Sequence, residues 1–593
     1  MEFWRHCGLR VALMQGVKRS LNIPFIVLVL LLACSRGGEP GLSARASGLT
    51  ISAEDRLAAS RQVSSEATAA LRAIVAAGYL SDLRWPEFSD RRAEVHEFYE
   101  SANYALAWVS DARATPQALT LIGLFRDAAS QGLRPEDYDG PRWSGRLRRL
   151  NQSQPPPVDS DWARFDVALT VSTMRYVSDL SKGRVTPRQF QYALEINHNN
   201  YDVAEFLRQR LVDALDVEAA LKAVEPPFPA YHRTVSAYQT YSKLARQGDA
   251  EPLSVPTKTV KPGDLYPGVP RLVRLLRRLG DLPSGVAGPA DATTYEGALV
   301  DAVKHFQRRH GLESDGWIGR QTLRALNMSL SHRALQLRLA LERWRWLPHE
   351  FAQPPIIVNI PEFGLHAYNT ELRWALSTKV VVGRAYQHQT PVFASEMKYV
   401  ILRPPWNVPL SIQIKELVPA ARKDPNYFVK GNYEITDRQG TVVSDGETNE
   451  VILNELRSGK LAIRQRPGPN NSLGLIKFVL PNDHDVYLHG TPAMALFTRP
   501  RRDFSHGCIR VEDPVALAAW VLRNQPQWTP ESIRAAMNGD KTVRVGLDQP
   551  IPVLILYTTA VVMEDGEVRF FEDIYNQDTA LQEALARAYP DAE

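Results

Sequence analysis

Tyr487-Leu488-His489-Gly490-Thr491 and then Phe504-Ser505-His506-Gly507-Cys508-Ile509-Arg510-Val511 form the stretch on which the reading turns. Val486 to Leu488 reads as a strand. Working outward, β-branched and aromatic runs recur at Ile476 to Leu480, Tyr399 to Ile401, Lys379 to Val382 and Ile356 to Val358. A mostly β domain over residues 354–545 follows. It is interrupted by a long, polar, proline-broken insertion at about 406–474 with its own helical piece at Lys415 to Arg422. Such an insertion in a compact domain reads as a lid rather than an idle loop. Beyond it, residues 546–593 read as further strands around the turn Glu564-Asp565-Gly566 and a closing helix.

Towards the N-terminus the periodicity changes. Leu272, Leu275, Leu276 and Leu279 make one apolar helical stripe, Leu299, Val303 and Phe306 a second, and Leu323 and Leu326 mark a third short helix after glycine punctuation. This compact unit spans 266–328, with a connecting helix at 329–353. It is preceded by a linker, 251–265, broken by Pro252, Pro256 and Pro262. Residues 53–250 read as a helical scaffold, beginning at Leu57, Leu71, Ile74 and Val75 and including a core-facing helix from Phe165 to Leu180. The whole is a multidomain α+β chain, as 593 residues with 44% hydrophobic and 23% charged side chains require. A net charge of +4 without a basic, aromatic-laced run argues against nucleic acid as a partner.

Residues 1–34 carry Arg5, Arg10, Lys18 and Arg19 before the apolar run Ile23 to Ala33, the pattern of an export signal. Residues 35–52 read as a tether. The run ends Leu31-Leu32-Ala33-Cys34, which resembles a lipobox with an imperfect second position; a lipidated Cys34 and an incidental cysteine both stand as readings. Membrane contact is expected only through that segment or such an anchor. Cys7 and Cys34 fall in it, so Cys508 is the one thiol in the body and has no intramolecular disulfide partner. A single thiol in an oxidising compartment is either buried and inert or a nucleophile.

A thiol nucleophile needs a base or a positive neighbour, and His489 qualifies. Backbone N–H groups of Gly507 and Cys508, with the Tyr487 hydroxyl, suit an oxyanion. Arg510 binds a substrate carboxylate or holds its loop by a fork to a carbonyl; both readings stand. A zinc set of His484, His489, His506 and Cys508 lacks paired ligand spacing.

The two-part motif resembles the signature of YkuD-type L,D-transpeptidases, over Pro354 to about Phe570, and the chain order resembles the large multidomain members. The stretch from Tyr266 to Met328 resembles a three-helix peptidoglycan-binding domain. The resemblance implies a cysteine acyltransferase that forms 3–3 cross-links between peptidoglycan stem peptides in the periplasm or cell envelope, without cofactor or metal. Its partners are the stem peptides and the glycan. Cys508 is then the nucleophile, His489 the general base and acid, and the Gly490 carbonyl the group that orients His489. Ser505, His506, Trp406, Asn407, Lys477 and Asn482 line the substrate cleft with Arg510. The same thiol chemistry with water or a protein amine as acceptor, and an inactive wall-binding scaffold, are the other function classes.

Overall fold

The computed structural model describes residues 64–587, apart from 191, 195–201, 249–250, 287–292 and 387. The expected export segment, the tether and the first residues of the scaffold, Leu57 included, lie outside the described residues.

The scaffold is built round the 24-residue helix Asp159–Lys182, buried on almost every side, with polar side chains such as Asp166, Thr170, Arg175 and Asp179 among its buried residues. Its two deep carboxylates are matched by donors: Asp166 accepts Tyr99 Oη at 2.7 Å and the Trp108 amide at 2.7 Å, and Asp179 accepts Tyr138 Oη at 2.6 Å. This core ends at Val224. The helix Pro229–Arg246, expected within the scaffold, instead buries Tyr231, Val235, Ala237 and Tyr241 against Leu330, Ala334, Leu337 and Leu341 of the connecting helix Leu330–Arg345. The three-helix unit comprises Val269–Leu279, Ala298–Arg309 and Arg320–Leu326. Its expected linker is part of it: Leu253 and Val260 are buried in its core, and Val260 bridges to Ile318.

The connecting helix ties the units together by polar contacts. Glu342, 2% exposed, accepts the amides of Arg184 and Val185 at 2.6 and 2.9 Å from the scaffold. Arg343 pairs with Asp578 of the C-terminal helix at 2.5 Å, and Arg333 bonds to His310 of the three-helix unit.

The large sheet of the β domain has nine strands among the described residues: β1 Ile356–Asn359, β2 Gly364–Tyr368, β3 Trp374–Gly383, β4 Phe393–Leu402, β5 Ile476–Val479, β6 Leu488–His489, β7 Asp503–Ser505, β8 Ile509–Val511 and β9 Val543–Leu556. Their order is β7-β3-β8-β6-β5-β4-β9-β1-β2, and the added pairing of β2 with β3 closes the series from β3 to β2 on itself, with β7 paired to β3 alone. Strand β9 crosses the boundary expected at 545 and pairs with both β1 and β4, so the C-terminal segment completes the sheet rather than following it. Its apolar residues Val553 and Ile555 are fully buried, which a separate appendage would not provide.

The insertion is a subdomain. Strands Trp406–Asn407, Tyr433–Thr436, Val442–Ser444 and Ala462–Gln465 form a four-stranded sheet packed on helices Val418–Lys423 and Glu450–Ser458, with Phe428, Ile435, Leu456 and Ile463 in a core of its own.

Replacing Glu342 by Ala removes the acceptor of two buried amides, each costing about 1–3 kcal/mol when orphaned. Urea denaturation of Glu342→Ala is expected to show a stability loss of roughly 2–6 kcal/mol, against under about 0.5 for the exposed Glu350→Ala.

Candidate functional site

Register creates the site. Phe478 lies opposite Leu488 and Leu488 beside Ile509, all fully buried, so one face of β5, β6 and β8 is core. One residue on, Lys477 is opposite His489 and His489 is beside Arg510. Successive side chains alternate across a strand, so these three share the opposite face, joined by Tyr487 and Cys508 two residues earlier in the same ladder. The Ile509 amide donates to the Tyr487 carbonyl at 3.1 Å and carries that ladder up to the thiol.

Cys508 is half-buried and its thiol donates to the Asp485 carbonyl at 3.6 Å. Asp485 adopts φ +54°, a left-handed conformation that Asp tolerates better than most residues. Burial pushes the thiol above its ordinary range; hydrogen bonds from Tyr487 and the charges of Lys477 and Arg510 oppose this without cancelling it. The Lys477 ammonium lies 3.6 Å from the centre of the Tyr487 ring. Burial and the neighbouring thiol raise the Tyr487 phenol well above its usual range, so it stays a donor.

His489, 4% exposed, donates from Nδ1 to the Gly490 carbonyl at 2.5 Å. This fixes the tautomer and leaves Nε2 as the acceptor. Burial, then the Arg510 charge, lowers its pKa to about 3, despite the opposing carbonyls of Gly490 and Leu473. A raised thiol and a lowered imidazole make the resting pair neutral. Both shifts have one leading cause, burial, which penalises whichever form of the group is charged.

Several expected roles change. The Gly507 amide donates to Ser505 Oγ at 3.2 Å, and Ser505 Oγ donates to the Cys508 carbonyl at 2.6 Å, so both residues close the loop internally. Gly507 adopts φ +116°, which an L side chain rarely enters. The Cys508 amide makes no hydrogen bond among the described residues and is the backbone donor left open. Asn482 closes the turn before Tyr487, donating to the Leu480 and Val486 carbonyls and accepting the His484 and Val486 amides, so it is not free for a ligand. Asn407 is exposed in the insertion's sheet opposite Arg464, and Trp406 next to it hydrogen-bonds Tyr487. His506 Nε2 meets Glu416 of the insertion at 2.6 Å. Among the described residues Arg510 makes no fork to a backbone carbonyl, and its Nε is buried without a partner, so the loop-holding reading is not met there. His484 packs against Phe393, His506 on Glu416 and His489 on Gly490, so the four zinc-ligand candidates do not converge.

Three supports escaped the sequence reading. Thr390 Oγ1 donates to the Gly507 carbonyl at 2.8 Å and accepts the Gly383 amide at 2.9 Å, while Tyr575 Oη donates to the Gly383 carbonyl at 2.6 Å. A Cβ on Gly383 would lie 1.9 Å from the His388 carbonyl, so only glycine fits. Thr390 and Tyr575 are distant in sequence from Cys508 and carry no motif; only the fold joins them.

The family L,D-transpeptidase catalytic domain (YkuD) matches residues 354–545, "Putative peptidoglycan binding domain" matches 266–326 and "Scaffold domain" matches 93–237. A protein of Haemophilus influenzae named "Putative L,D-transpeptidase" is 33% identical over 273 residues, 45% of this chain and 54% of that protein. The chain thus spans about half the length of that relative.

The raised thiol implies that alkylation of Cys508 by iodoacetamide is slow at neutral pH and accelerates as pH rises through and above the free-thiol value of about 8.5. Lys477→Met removes a cation that favours the thiolate, so its profile is expected to move to higher pH. A shift to lower pH refutes the electrostatic account.

Proposed function

Residues 354–545 are an L,D-transpeptidase catalytic domain, and we propose that the whole protein uses it on peptidoglycan stem peptides in the cell envelope, through an acyl-enzyme on Cys508. The observation that carries this is the shared face of Cys508, His489, Tyr487, Lys477 and Arg510, with His489 held as an acceptor.

In this reading Cys508 Sγ attacks the L-centre carbonyl of the diamino acid in a donor tetrapeptide. The thiol proton passes to His489 Nε2 in concert with attack, because neither ion is favoured beforehand. The Cys508 amide and the Tyr487 hydroxyl receive the oxyanion. The leaving D-alanine amine takes the proton from His489, and the C–N bond breaks to leave a thioester. An acceptor amine, activated by the same imidazole, then displaces Cys508 and forms the 3–3 cross-link. The unpartnered Arg510 guanidinium suits a substrate carboxylate beside the scissile bond.

The three-helix unit holds the enzyme on its polymer and raises the local concentration of stem peptides. No helix among the described residues is long and apolar enough to cross a membrane. Export by the segment ending at Cys34 belongs to the same proposal.

Purified tetrapeptide muropeptides incubated with the protein are expected to yield dimers with 3–3 links by mass spectrometry. His489→Ala should lower the rate by about 10²–10⁴, and Cys508→Ala should abolish it. Tripeptide product without dimers would move the reading to hydrolysis. A carbapenem should add its mass to wild type and not to Cys508→Ala; an adduct persisting in the alanine variant removes Cys508 from the role.

The insertion is proposed to close over bound substrate, since Glu416 and Trp406 already reach the thiol loop and Tyr487. Hydrogen exchange at residues 406–465 should slow on acylation of Cys508. Equal exchange before and after acylation rules the closure out.

A further inference from the structure

The scaffold contains a cavity of about 180 Å³ lined by Asp82, Arg146, Arg149, Asp161, Arg164 and Phe165 among others. That is far above the roughly 15 Å³ that admits one water. None of these residues belongs to the catalytic sheet.

Its charges divide into satisfied and unsatisfied groups. Arg164 Nε pairs with Asp82 at 2.7 Å, and Arg146 Nη2 pairs with Asp139 at 2.7 Å and also donates to the Asp82 carbonyl. Arg146 is 6% exposed, its guanidinium lies over the Trp143 ring, and its Nη1 is buried with no hydrogen-bond partner. A buried cationic donor without an acceptor is costly and marks a place where an acceptor belongs. Arg149 has no ion-pair partner among the described residues. Asp161, an exposed residue, accepts the Val158 amide at 3.0 Å and forms no ion pair among the described residues. One cation, one buried guanidinium donor and one carboxylate therefore remain open in a single cavity, against an apolar wall that includes Leu150, Pro157 and Phe165.

A simple oxyanion would answer Arg149 and Arg146 but face Asp161 unrelieved. A simple amine would do the reverse. We propose that this cavity is a binding site for a zwitterionic amino-acid head, with its carboxylate towards Arg146 and Arg149, its ammonium towards Asp161 and its side chain against Phe165. The free end of a diamino-acid side chain, or of a peptide-derived amino acid, has this chemistry. The site rests on scaffold residues alone and stands independently of the Cys508 reaction.

Calorimetric titration of the full chain carrying Cys508→Ala tests it, with D-alanine, diaminopimelic acid, acetate and ethylamine as probes. One or both amino acids should bind at least roughly tenfold more tightly than acetate or ethylamine. Arg149→Gln changes an exposed residue, and Asp161→Asn keeps an oxygen for the Val158 amide, so both variants should fold and melt as the parent does. Each is expected to weaken amino-acid binding about tenfold. Acetate or ethylamine binding as tightly as the amino acids, unchanged affinity in both variants, or no binding to the parent overturns the proposal. Binding lost on Arg510→Met but kept in Arg149→Gln would place the ligand in the cleft and likewise overturn it.

Discussion

The parallel pairing of β6 with β8 is the constraint on which the rest of the site depends. It sets His489 beside Arg510 and brings Cys508 onto the same face, although residues 490–507 separate the two motifs in the chain. Side chains alternate with period two, so a slip of one residue would exchange His489 for Leu488 on the reactive face and bury a polar group in the core. Leu488, Ile509 and Phe478, all fully buried, oppose that slip. The hydrophobic side of these short strands thus places the polar side, and the energy that fixes the chemistry comes from residues that take no part in it.

Around that ladder the loop before the thiol is held from outside. Thr390, in the segment after β3, donates to the Gly507 carbonyl and is itself held by the Gly383 amide at the end of β3 and by Tyr575 from the C-terminal segment, and Ser505 closes the turn from within. The hydrogen bonds of Gly507 are satisfied by the protein, which leaves the Cys508 amide as the open donor. A loop fixed in this way keeps its donor aimed without reorganising when negative charge appears.

Burial shapes the acid-base pair as strongly as proximity does. It raises the thiol and lowers the imidazole, and it also lowers Lys477 and Arg510, the two basic side chains on the same face. The opposing shifts follow from one cause, the lost hydration of whichever form is charged.

The paired motifs made Cys508, His489 and Gly490 legible in the sequence, because their residue types and spacing are local properties of the chain. The helical and strand periods likewise determined where the three-helix unit and the catalytic strands lie, since burial of one face imposes those periods. Other features depended on partners far away. Asn482 and Gly507 resembled ligand-facing residues until the structure showed their hydrogen bonds satisfied within their own loops. The proline-broken segment 251–265 read as a linker until the fold buried its Leu253 and Val260. Strand β9 belonged to the sheet because β1 and β4 receive it on both edges. Thr390, Tyr575 and Asp485 matter only through contacts formed by chain closure. The sequence by itself determined which chemical groups were available; the tertiary structure decided which remain free, because a hydrogen bond satisfied by a distant residue leaves no trace in local pattern.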